Sequence, residues 1–136
     1  MKLSLCVPTI VLAMATWPAV AAQVHVFTDR AHPVRRAPTD ADVTQLDVGL
    51  QLEDELAAAL PADPEQAAAV VQRRLEQGGA ALQRRLAAAY QGVAEAWSLG
   101  VTKVPAIVVD HRYVIYGEPD VALALARIAR YRVDHP

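Results

Sequence analysis

Cysteine is nearly missing from this sequence. The only one, Cys6, lies close to the N-terminus, and residues 7–136 contain no thiol. A disulfide framework is therefore excluded for the body of the chain. So is thiol–disulfide exchange, which requires a thiolate to attack a sulfur. Serine is almost as scarce: Ser98 is the only one after residue 22, and no G-x-S-x-G setting surrounds it. An excess of positive charge is lacking too, with a formal net charge of −2 at pH 7. Nucleic-acid binding needs a concentrated basic surface, and the Arg35-Arg36, Arg73-Arg74 and Arg84-Arg85 pairs each have acids nearby in sequence. These pairs read as solvated faces, and no nucleic-acid partner is expected.

Long apolar runs occur only at the start. MKLSLCVPTIVLAMATWPAVAA carries one lysine, an apolar stretch from Leu3 to Ala15, and small residues ending in Ala19-Val20-Ala21-Ala22. This is the layout of a secretory signal peptide over residues 1–22, with cleavage after Ala21 or Ala22. Pro8 and Pro18 interrupt the run, and its unbroken part is shorter than the roughly 20 residues a membrane span needs. No membrane span is expected once it is removed. Cys6 precedes most of the apolar run, which argues against a lipid-attachment cysteine. Removing residues 1–22 takes away Lys2 and no acid, leaving twelve basic against fifteen acidic residues and a charge of −3. Residues 23–136, about 114 in number, are enough for one domain with its own core.

The remaining chain alternates two periodicities. QVHVFT at 23–28 and VTQLDV at 43–48 read as strands, separated by the turn-rich TDRAHPVRRAPTD. LQLEDELAAAL reads as a helix with Glu53, Asp54 and Glu55 in its first turn, although Leu46, Val48, Leu50 and Leu52 also alternate at period two. A second helix opens with Asp63 as cap and Pro64 in the first helical position, and stops at Gly78-Gly79. A third, Ala80 to Leu99, carries Leu82, Leu86, Ala89, Tyr90, Val93 and Trp97 at three-four spacing, so this row is expected to be buried with Trp97 in the core. Gly100 caps it. AIVVD and RYVIYG form an antiparallel hairpin turning at Asp110-His111, and Glu118-Pro119-Asp120 opens a last helix.

That order is α/β with a small mixed sheet: a β-α-β unit, a helix-rich middle, then β-β-α. It is similar to the thioredoxin layout, with the first helix position short or irregular. FTDRAHPV at 27–34, LPADPEQAA at 60–68 and AWSLGVTKVPAIVVDHRYVIYGEPDVALAL at 96–125 resemble a family of small exported proteins encoded in integrating conjugative elements of proteobacteria. The resemblance covers nearly all of residues 23–136. It implies a thioredoxin-like periplasmic protein associated with a conjugative type IV secretion apparatus, and it carries no catalytic residues with it.

In a redox-active thioredoxin the two cysteines follow the first strand. Here Asp29-Arg30-Ala31-His32-Pro33 holds that place. The resemblance also implies a cis Val104-Pro105 bond, with Val104 offering its backbone to an extended peptide. The candidate partner-binding residues are therefore Asp29, His32, Pro33, Val104 and Pro105, with Tyr113 as an interface anchor. His25, His32 and His111 with Asp29 offer a three-nitrogen, one-oxygen set, but their spacing matches no recognised ligand pattern, so neither metal nor cofactor is expected. The expected function is non-catalytic: binding other exported proteins of the conjugation system. The alternative is a periplasmic chaperone-like protein that holds client peptides outside the apparatus.

Overall fold

Val24–Thr28 forms the first strand, β1, and every residue of it is buried. It reads Val-His-Val-Phe-Thr, so both of its faces must be covered. The computed structural model describes residues 22–136, and the expected signal segment lies outside them apart from Ala22. Three further strands follow, β2 (Asp42–Gln45), β3 (Ala106–Val109) and β4 (Tyr113–Tyr116), in the sheet order β2-β1-β3-β4. β1 and β2 are parallel, and the other two pairs are antiparallel. The helices are α1 (Val48–Ala57), α2 (Pro64–Ser98) and α3 (Val121–Asp134).

Period-two alternation distributes the core. Val24, Val26, Ile107 and Val109 point to one face and pack on Val121, Ala124 and Ile128 of α3. Phe27, Ala106 and Val108 point to the other, where Ala96 of α2 covers them together with Leu46, Leu99, Val101 and Val104. Residues 29–41 link the parallel strands β1 and β2 and contain no helix. This crossover runs over the α3 face, with Val34 and Ala41 against the core. Arg35 forms a bridge to Asp120 there, through Arg35 N–H to Pro119 O at 2.8 Å and Val121 N–H to Arg35 O at 3.0 Å.

Several punctuation marks act as the sequence predicts. Asp63 accepts a hydrogen bond from Gln66 N–H at 2.9 Å, with Pro64 in the first turn of α2. Gly79 leaves helical geometry at φ 48°, which divides α2 into two helical stretches. Asp110 and His111, both at φ 52°, make the tight β3–β4 turn.

Other expectations are corrected. β2 ends at Gln45, and α1 already begins at Val48. Glu53–Glu55 therefore lie in mid-helix, and only Leu52 of that helix is fully buried. The larger correction concerns α2. Its buried residues beyond the Gly79 break are Leu82, Ala89, Gly92 and Ala96, whereas Tyr90, Val93 and Trp97 are exposed, Trp97 by 82%. The cause is close approach. A Cβ at Gly92 would stand 2.5 Å from Thr44 Cγ2, so α2 crosses the sheet on its small residues and turns its large ones outward. Among the described residues, no helix is long and apolar enough to cross a membrane.

Candidate functional site

The end of the sheet where β1 finishes and β3 starts gathers most of the sequence-predicted residues. Phe27 pairs with Ala106, so Thr28 and the loop after it face Pro105, the residue just before β3. The Val104-Pro105 bond is cis. Pro105 is buried and Val104 partly so, and Pro105 O accepts from Gly117 N–H at 2.9 Å. Of the residues expected here from sequence, those in the loop are the accessible ones. Asp29 Oδ1 lies 2.8 Å from His32 N and 2.7 Å from His32 Nδ1, and Thr28 Oγ1 donates to His32 O. This turn leaves His32 and Pro33 exposed.

Beside the loop lies a groove of about 390 Å³ lined by Asp29, Arg30, Ala31, Asp47, Leu50, Gln51 and Asp54. Asp47 anchors its floor. It accepts from Gln51 Nε2 at 2.9 Å and from Arg30 N–H at 3.3 Å. Those donors, Gln51 foremost, hold its carboxyl below the usual carboxylate range.

An apolar groove of about 300 Å³ opens on the α2 side of the same end, lined by Leu46, Val93, Ala96, Trp97, Gly100, Val101 and Thr102. Leu46 N–H donates to Thr28 O at 2.9 Å, which ties this groove directly to the end of β1. Trp97 borders it, and Val93 and Tyr90 continue the row one and two turns back along α2. Sequence reasoning missed this surface because it assigned the row to the core. The overlooked signal was the small-residue series Ala89, Gly92 and Ala96 on the adjacent face.

Asp29, His32, Pro33, Val104 and Pro105 thus share one end of the molecule. Tyr113 does not. It pairs with Val109 beside the hairpin turn, packs edge-on against Tyr131 at 6.2 Å, and lies beneath Arg132 at 4.5 Å. The tyrosine at the Pro105 end is Tyr116, opposite Ala106, whose hydroxyl donates to Gly100 O at 3.3 Å. A tight turn centred on 110–111 already implies this, since it sets residue 113 near the turn and residue 116 far from it.

The histidines separate as well. His32 stays on the loop with Asp29. His25 lies on the α2 face of β1, 5% exposed, with its Nε2 3.3 Å from His111 Nε2. Its Nδ1 faces Glu95 Oε1 at 3.1 Å and Asp42 Oδ2 at 3.9 Å.

A family model described as a protein of unknown function (DUF1525) matches residues 21–134. No curated protein and no solved structure matches the chain.

Proposed function

The chain belongs to the DUF1525 family, and we propose that it is a non-catalytic, exported, thioredoxin-like accessory protein of a conjugative type IV secretion system. In this reading it works in the periplasm by binding another exported protein of an integrating conjugative element. The thioredoxin-like assignment is supported by the β2-β1-β3-β4 order with its single parallel pair. It is supported further by the placement of α2 on one face of the sheet, with α3 and the crossover on the other. The position that carries thiols in redox members is occupied by Asp29–Pro33, which cannot form a mixed disulfide. Conjugation and export are implied by the sequence resemblance.

One observation carries the binding role: Trp97 is 82% exposed at the rim of an apolar groove, in line with Tyr90 and Val93. Leaving a large aromatic in water forgoes the stabilisation of its burial, about 25 cal/mol per Å² of apolar surface. Tryptophan and tyrosine in such positions are the residues that dominate protein interfaces. The loop 29–33 supplies a polar border to the same end.

Co-purification tests this. Trp97→Ala should weaken a stoichiometric complex with an exported, element-encoded protein by roughly 30-fold, the effect of an anchor contributing about 2 kcal/mol. Its melting temperature should stay at the wild-type value, because the side chain touches little of its own fold. Undiminished binding by Trp97→Ala would refute the reading.

A further inference from the structure

We propose that His25, Asp42 and Glu95 form a binding site for one first-row divalent metal ion, with zinc as the type case. The ligand atoms come from three elements. His25 is in β1, Asp42 is its register partner at the start of β2, and Glu95 is on α2 where that helix covers the sheet. One ligand atom from each lies within 4.8 Å of the other two. In a tetrahedral zinc site with bonds of about 2.0–2.1 Å, neighbouring ligand atoms stand about 3.3 Å apart. The His25–Glu95 separation of 3.1 Å already has that size, and the 3.9 Å to Asp42 closes with a side-chain rotation. Asp42 has the freedom to make it, its side chain being 65% exposed.

The second observation is independent of the acids. His25 is nine-tenths buried or more, and its Nδ1 makes no hydrogen bond. Glu95 Oε1 is near enough, but the approach lacks the alignment of an N–H···O bond. A buried polar atom without a partner is costly. Here it is directed at two carboxylates whose oxygens converge on the same point, which is the arrangement of ligands around an ion. The other ring nitrogen completes the pattern. A metal-ligating histidine donates its remaining N–H to a second group, which fixes the tautomer. His25 Nε2 meets His111 Nε2 at 3.3 Å; with His25 as the donor in this pair, its proton is on Nε2 and the Nδ1 lone pair is left to coordinate, the tautomer that the proposal requires. The left-handed backbone of the Asp110-His111 turn places that second ring.

One nitrogen and two carboxylates leave a fourth position on the solvent side, open to water or to a donor from a partner. Because the ligands join β1, β2 and α2, the ion clamps the helix to the edge of the sheet. This site replaces the set of His25, His32, His111 and Asp29 weighed from sequence, of which it keeps only His25 as a ligand. It stands apart from the partner-binding role, since it uses neither the loop nor the Trp97 groove.

The test uses tag-free protein and zinc chloride alone. Calorimetry should show one equivalent of zinc bound, with a rise in melting temperature. Cobalt should give the intense visible absorption of a four-coordinate site. His25 lies in the core, so the variants are placed on its partners: Asp42→Asn and Glu95→Gln should each weaken zinc binding by at least about tenfold while folding normally. His32→Ala should bind as wild type. Absence of saturable binding would overturn the proposal, as would binding indifferent to Asp42→Asn and Glu95→Gln or dependent on His32.

Discussion

Asp120 joins three parts of the chain through one carboxylate. Its backbone opens α3, and its Oδ1 accepts from Leu123 N–H at 3.2 Å as the helix cap. The same group accepts from Arg36 Nε at 2.9 Å and Arg35 Nε at 3.2 Å, which staples the crossover to the start of α3. The Arg36 guanidinium, with the cap and Arg35, lowers its pKa to about 2. An unfolded aspartate titrates near about 3.9, so the stabilisation is fully present above that pH and is lost as pH falls through about 2. Comparing melting temperatures of wild type and Asp120→Asn should therefore show a gap at neutral pH that narrows between about pH 4 and 2. A gap unchanged across that range would contradict this role. The Asp63 cap and the opening of α3 at Glu118-Pro119-Asp120 were legible in sequence, because a helix start needs only a local pattern. The arginines that bind Asp120 were not, being separated from it by some 85 positions.

α2 shows how an element is misread when periodicity is right and facing is wrong. Tyr90, Val93 and Trp97 do share a row, but hydrophobic spacing states only that apolar residues align, and the neighbouring row of Ala89, Gly92 and Ala96 aligns too. Which row turns inward is decided by the distance of the helix from β2, a tertiary quantity that no local pattern contains. The contact of Gly92 with Thr44 sets that distance. Gly92→Ala should raise intrinsic helix propensity by about 1 kcal/mol, yet the new methyl collides with Thr44 Cγ2, and overpacking costs about 1–3 kcal/mol. The net effect should be a lower urea midpoint. Adding Thr44→Ser removes the opposing methyl, so Gly92→Ala/Thr44→Ser should recover what Gly92→Ala loses. A single variant as stable as wild type would show that the helix does not need this approach. The strands and the hairpin turn were readable because alternation and a short connection are local. The missing helix between β1 and β2 was foreshadowed by Pro33 and Pro38.

At the scale of the molecule, the two ends of the sheet have different characters. The hairpin end is tied down by Arg132 to Asp110 at 2.6 Å and by the Tyr113–Tyr131 contact. The Pro105 end presents the loop 29–33 and the Trp97 groove, with no thiol anywhere in the described residues. This division supports a protein that holds a partner at one end and is braced at the other. The polar part of the candidate surface was legible from the loop after β1, and its end of the sheet from the proline before β3, whereas its apolar part was hidden by the facing of α2. The most direct test is conjugative transfer frequency after clean deletion of the gene, complemented with wild type or with Trp97→Ala at equal protein abundance. Deletion should reduce transfer, wild type should restore it, and Trp97→Ala should not, as a partner-binding role for Trp97 requires. Transfer unchanged by deletion, or restored fully by Trp97→Ala, would contradict it.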